Sequence, residues 1–230
     1  MSAGLITGIS SMATRAVLAE LGRSYGAQSG REVAIRSLGG VDAARLVRDG
    51  EATDVVVLAS GVMASLEAER HLVQGSRIDF AHSSVAMAVR AGQPQPGIES
   101  EEALREAILG APRICISTGP SGDQLKRIWE RWGVSGTVAP RLVQAPPGVS
   151  VGSLLARGDA DLGFQQLSEL LDVPGIAIVG RLPAEMNAVS VFTVGIARSG
   201  ARGDEARALL AFLVSPDARE AKLRHGMEPA

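Results

Sequence analysis

Apolar residues along this chain fall into two alternating patterns. Short continuous runs such as "LITGI", "EVAIRSL" and "DVVVLAS" (54–60) read as strands. The stretches after them repeat apolar residues at helical spacing. One helix is expected over roughly 13–24, with Ala13, Ala16, Val17 and Leu21 apolar and Gly26 or Gly30 closing it. "GGVDAARLVRDG" reads as a loop and a short helix stopped by Gly50, and "GVMASLEAERHLV" as another helix. The all-apolar "DVVVLAS" is of the kind buried on both faces of a parallel sheet. This βαβαβα order predicts a doubly wound sheet.

The rhythm changes at "SSVAMAVRAG" (83–92), a strand running into the loop "GQPQPGIES". Ser100 is placed to cap the helix "EEALREAIL". Strand "RICIS", loop "TGPSG" and helix "DQLKRIWERWG" follow, then strand-like "VAPRLVQA", "ADLGFQQ" and "GIAIVGRLP" with a helix in "GVSVGSLLARGD". A return strand "SVFTVGIAR" (190–198), helix "EARALLAFLVS" and tail "PDAREAKLRHG" complete the chain. The pattern predicts two lobes. Residues 1–82 with 192–230 form the first and 83–191 the second, joined by two crossing segments that act as a hinge with a cleft between the lobes.

Composition narrows the function. The chain has 230 residues, 46% of them hydrophobic but only 3% aromatic, so its core is built of Ala, Val, Leu and Ile. A net charge of −2 with no long block of one sign argues against a nucleic-acid partner. No apolar window is long enough to span a membrane. The N-terminus lacks a basic segment, and Gly and Ser break its first apolar run. The sequence as it stands is therefore expected in the cytoplasm, whereas a chain from which a leader had been removed would be periplasmic. The single cysteine, Cys115, reads as a small buried hydrophobe, and no Cys/His cluster has zinc spacing, so neither metal nor cofactor is expected.

Three junctions share one logic. Ser10–Ser11, Gly39–Gly40 and Ser121–Gly122 each lie between a strand and a helix, where small residues admit a ligand and free N–H groups favour an anion. "PPGVSVG" (146–152) is a fourth. Neither GxGxxG nor a P-loop occurs. Each signal is weak by itself, since a serine at a helix start is commonly a cap and Gly-Gly a turn. Their repetition in successive βα units is stronger. Arg15, Arg36, Arg113 and Arg181 flank these segments and could add a two-pronged carboxylate contact.

Taken in order, these motifs resemble the type II periplasmic solute-binding proteins, and most closely the molybdate-binding subfamily of ABC transport systems. The carrying segments are "GISSM", "SLGGVDAARLVRDG", "TDVVVLAS", "PSG" before "ERWG", "ADLGFQQ" and "SPDAREAKLRHG". The resemblance implies a two-lobed α/β fold of two doubly wound sheets joined by a two-strand hinge. It also implies a small anionic ligand in the cleft and possible ABC-transporter membrane partners. It puts Ser11 at a ligand-serine position beside Ser10, Ser121 and Gly122 at a backbone-donor turn, and Gly148 or Val149 at another. Gly39 or Gly40 stands where a second ligand serine is usual. Gln166, or Gln165 if the register slips by one, stands where a tyrosine is usual. A glutamine offers an acceptor as well as a donor, so a carboxylate or larger polar organic anion becomes an alternative to a tetrahedral oxyanion. A second reading is an enzyme of this fold, an isomerase or lyase of a small carboxylic acid, with His82 in "DFAHSSVAM" as acid/base near the first crossing.

Overall fold

The computed structural model describes residues 4–146, 148–186 and 188–230. The chain divides into two compact units, one of residues up to Ser83 with Val191–Ala230, the other Ser84–Ser190.

The first unit opens with β1 (Ile6–Ser11), α1 (Arg15–Ser29), β2 (Val33–Leu38), α2 (Gly40–Arg48), β3 (Val55–Ala59) and α3 (Ser60–Ala68), then enters β4 (Ile78–Arg90). The second holds the rest of β4, α4 (Glu101–Gly110), β5 (Ile114–Ile116), α5 (Pro120–Arg131), α6 (Ser135–Val138), β6 (Leu142–Gln144), α7 (Val151–Arg157), β7 (Leu162–Gln166), α8 (Leu167–Leu170) and β8 (Ile176–Arg181). Return strand β9 (Val189–Ile196), α9 (Gly203–Leu213), α10 (Arg219–Arg224) and β10 (Met227–Pro229) complete the chain. The first helix is displaced from the expected 13–24. A 3-10 turn at Met12–Thr14 precedes it, and Gly30 in the left-handed region (φ 69°), not Gly26, ends it. "VAPRLVQA" is helical turn over Val138–Arg141 and strand only over Leu142–Gln144, and the tail is followed by β10, which pairs antiparallel with β4.

In the first unit β1 lies parallel between β2 and β3, and β3 pairs antiparallel with β9. Val55–Leu58 are buried, as a central strand requires. Val17, Leu18, Leu21 and Tyr25 form the buried stripe of α1 against Leu209, Leu213 and Phe80, while Ile9, Val47, Met63 and Leu66 fill the other face of the sheet. Full burial of each such side chain contributes roughly 1.5–3 kcal/mol. Asp54 ties the amino-terminal end of the strands. It is buried but satisfied, its carboxylate accepting from the Thr7 amide (2.9 Å), the Thr7 hydroxyl (3.1 Å) and the Arg202 amide (3.2 Å).

In the second unit β5 lies parallel between β6 and β7, and β4 pairs antiparallel with β7 and β8. Phe164, Met87, Ile114, Ile116, Leu125 and Trp129 pack on one face of this sheet. Cys115 packs on the other with Val151 and Leu155; burial pushes its thiol up to about 12, so it is an inert core residue.

Lys222 of α10 is buried with its Nζ 4.5 Å from the centre of the Phe80 ring, and among the described residues no carboxylate pairs with it. Desolvation lowers its ammonium from 10.5 to about 8. The unfolded chain holds this proton more tightly, so the burial cost is fully present below pH 8 and fades as pH rises from about 8 to 10.5. Lys222→Met is therefore expected to raise stability by about 1–3 kcal/mol at pH 7. Denaturant melts should show that gain shrinking toward pH 10.5. A second expectation concerns Gly122, where an added Cβ would lie 2.1 Å from the Ser117 carbonyl oxygen. Gly122→Ala should cost about 2 kcal/mol or more in the same melts, because backbone must shift to admit the methyl group.

Candidate functional site

The parallel strands bring their carboxyl ends to one edge of each unit's sheet, where open α/β sheets take ligands. In the first unit the register Ser11↔Leu38 and Ser10↔Val57 sets Ser10–Ser11, Gly39–Gly40 and the β3–α3 junction Ala59–Ser60 along that edge. Ser60 and Gly61 begin a helix there just as Gly40 does, a position not singled out from the sequence.

Adjacent serines have opposite fates because side chains alternate along a strand. Ser10 is fully buried, with its Oγ 2.8 Å from the Ser37 Oγ of β2 and 3.3 Å from the Ser11 carbonyl oxygen. It belongs to the sheet. Ser11 is 7% exposed, and among the described residues its Oγ has no hydrogen-bond partner. It does not cap the following turn either, since the Ser11 carbonyl, rather than its hydroxyl, meets the Thr14 hydroxyl at 3.1 Å. At α2 the N-cap is Gly39, with no side-chain cap, and an added Cβ on Gly40 would meet nothing within 4 Å. The first turn of α2 already carries Asp42, which Arg45 accompanies at 3.1 Å. That carboxylate occupies part of the field an anion would use.

In the second unit the edge holds Ser117–Ser121, Gln144 and Gln165–Gln166. Pro120 opens α5 and has no N–H. The Gly119 amide donates to Ser117 Oγ (3.3 Å) and the Gly122 amide to the Gly119 carbonyl (3.0 Å), whereas the Ser121 amide makes none of these bonds. Ser121 is buried, and its hydroxyl shares a 2.8 Å bond with Ser117, leaving one hydroxyl proton of the pair free. Gly122 is explained by its close approach to Ser117. The Val149 amide closes a turn onto the Pro146 carbonyl (3.0 Å), and Gly148 takes the left-handed conformation of that turn (φ 77°). Pro147, between them, lies outside the described residues.

The two glutamines that end β7 divide as the two serines do. Gln165 is engaged at both ends: its Oε1 accepts from the Val151 amide (2.9 Å) and its Nε2 donates to Glu169 Oε2 (2.7 Å). Gln166 is 2% exposed; its Nε2 donates to Ser190 Oγ (2.7 Å) and its Oε1 has no partner among the described residues. Because a hydroxyl both donates and accepts, turning the amide over would keep the Ser190 bond and free the Nε2 instead. Sequence reasoning missed Ser190 and Glu169. Ser190 lies on the return strand, 24 residues from its partner.

His82 is half-buried on β4, opposite Glu228 of β10. His225 is 2.9 Å from Glu20, and His71 lies 3.9 Å from Glu69. Arg36 pairs with Glu51 (3.7 Å) and Arg113 with Asp161 (3.2 Å), both at the surface, and Arg15 is exposed. Surface depressions of about 620 Å³ between α1 and β2, and about 550 Å³ near Arg90 and Asp161, are not lined by the strand-end residues. Among the described residues no helix is long and apolar enough to cross a membrane, and no three His, Cys, Asp or Glu side chains group as metal ligands would.

Comparison with known proteins places this arrangement. Residues 6–228 match the family model described as bacterial extracellular solute-binding protein. An aconitate isomerase from Pseudomonas sp is 37% identical over 188 residues, covering 80% of this chain and 70% of that protein. The periplasmic molybdate-binding protein of Azotobacter vinelandii superposes with a TM-score of 0.80 at 23% identity, covering 96% of this chain and 98% of that one. The sulfate-binding protein SubI of Mycobacterium tuberculosis H37Rv also gives 0.80, at 16% identity, covering 99% and 87%. The chain has the two-lobed fold of the type II periplasmic binding proteins, and it belongs to the bacterial extracellular solute-binding protein family.

Proposed function

We propose that the protein binds a small organic anion, a di- or tricarboxylate, through uncharged donors at the carboxyl ends of its parallel strands. The observation that carries this reading is the Ser11 hydroxyl, buried and without a partner among the described residues at the carboxyl end of β1. The Ser121 amide, which takes no part in the hydrogen bonds of its turn, and the Gln166 Nε2, once the amide is turned over onto Ser190, supply further donors. A hydrogen bond from a neutral donor to a charged oxygen is worth roughly 1.5–3 kcal/mol, so three of them suffice for useful affinity without a cation. The molybdate- and sulfate-binding relatives of the fold support anion binding. The aconitate isomerase relative favours a carboxylate over a tetrahedral oxyanion, and the Gln166 amide, turned over, can aim its Nε2 at the carboxylate's charge. In a transport role the loaded protein would hand its solute to an ABC permease.

A second reading, that the bound acid is also turned over, is favoured by the aconitate isomerase relative. On this reading the solute is an unsaturated carboxylic acid and the product its isomer.

A thermal-shift series with trans-aconitate, cis-aconitate, citrate, sulfate and molybdate tests the choice. The carboxylates are expected to raise the melting temperature progressively with concentration, by the equivalent of about 2.7 kcal/mol at a hundredfold excess over Kd. Ser11→Ala should weaken the response about tenfold or more. Ser10→Ala should lower the melting temperature of the free protein and leave the affinity intact. A response to molybdate alone contradicts the carboxylate assignment, and an unaltered response in Ser11→Ala removes this edge as the site.

A further inference from the structure

Beyond the carboxyl end of β7 the chain holds a carboxyl group that no part of the binding account uses. Glu169, on α8, receives the Gln165 Nε2 at 2.7 Å on its Oε2. The direction of that bond is not optional. The Val151 amide is only a donor, so it claims the Gln165 oxygen at 2.9 Å and turns the NH2 group toward Glu169. Glu169 Oε2 is thereby fixed as an acceptor in either protonation state. Among the described residues its other oxygen, Oε1, makes no hydrogen bond, and the residue is only partly buried, so a proton there can come and go.

The surroundings carry no neutralising charge. Among the described residues Glu169 has no ion pair. Strand β7 has no charged residue, and the one on α7, Arg157, is held by Asp159 at 2.9 Å. Asp172, the next charged residue along the chain, is exposed. Desolvation pushes the Glu169 carboxyl up to about 7, and the Gln165 bond pulls the other way. A carboxyl clamped on one oxygen, open on the other and poised near neutrality has the properties of a general base or acid.

We propose that Glu169 is the acid–base group of the site, moving a proton between two carbons of a bound unsaturated carboxylic acid, with Gln165 as its positioning residue. This rests on the second reading above, in which the acid is turned over. In aconitate, the Glu169 carboxylate takes a proton from the methylene carbon. The C–H electron pair shifts into the neighbouring C=C bond and its conjugated carboxylate, and Glu169 returns the proton to the formerly vinylic carbon. One C–H bond breaks and one forms, the double bond moves by one position, and its geometry is reset on closing. Nothing is oxidised and nothing leaves. His82, on β4 of the first unit, is not needed for this step.

The test is proton NMR of trans-aconitate with the protein in deuterium oxide, run beside a thermal shift for binding. Wild type is expected to exchange the methylene protons and form the cis isomer. Its rate should rise with pH through about 7, as the carboxylate form appears. Glu169→Gln keeps the acceptor for Gln165 but cannot take a proton, so exchange and isomerisation should both fall at least 100-fold with the thermal shift preserved. Gln165→Leu removes a bond that favours the charged form, and the midpoint of the pH profile should move upward, an effect that mere loosening would not produce. Wild type that binds aconitate without exchange overturns the proposal and leaves the binding reading standing. Exchange at the wild-type rate in Glu169→Gln overturns it and leaves the isomerase reading standing. Neither binding nor exchange in wild type removes the isomerase reading and the proposal together.

Discussion

A polar group sealed from water must find a partner or leave its desolvation cost in the fold. Each unpartnered buried hydroxyl or carbonyl costs about 1–3 kcal/mol, while the net stability of a whole domain is only about 5–15 kcal/mol. Unpartnered groups are therefore informative. Here two of them end strands, Ser11 Oγ on β1 and Gln166 Oε1 on β7. Each stands directly beside a residue of the same type whose polar atoms are engaged. Ser10 is bonded across to Ser37, and Gln165 spans Val151 and Glu169. Strand alternation turns one member of each pair into the structure and leaves the other open at the edge. An open group is stabilised once a solute supplies the missing partner.

The choice of uncharged donors shapes what that solute can be. Lysine or arginine at these edges would bind any anion by charge alone, whereas a hydroxyl and a peptide N–H reward an oxygen placed in line with them. Carboxylates already stand in the first turns of α2 and α5, as Asp42 and Asp123. They weaken the pull of the helix ends and leave directional bonds to decide between solutes. Tethering of the opposite strand ends by Asp54 keeps that geometry rigid.

Much of the fold was legible because its elements follow simple periodicities. The apolar "DVVVLAS" could only be a central strand, and alternation of such runs with helical spacing led to a doubly wound sheet. Of the strand expected over 138–145 only Leu142–Gln144 forms, because Val and Leu occur there without a period and Pro140 favours a helical turn before it. The tail strand β10 is set by pairing with β4, far away in sequence, and three residues carry no pattern of their own. The site was legible only as a set of small residues at strand–helix junctions. Spacing could not tell Ser10 from Ser11 or Gln165 from Gln166, since which member is engaged depends on Ser37 of β2 and Val151 of α7. Ser190 and Glu169 went unnoticed for the same reason: each gains its meaning from a glutamine that had been read alone.

The central claim is that uncharged donors at the strand ends hold the solute. It is tested most directly by titrating isotope-labelled protein with trans-aconitate and following the backbone amides and glutamine side chains by NMR. The account predicts that resonances of Ser11, Ser121 and the Gln166 side chain shift together and fit one dissociation constant. Shifts absent from these strand-end residues, or centred on the depressions near Gly22 and Ile35 or near Ala107 and Arg113, would contradict it.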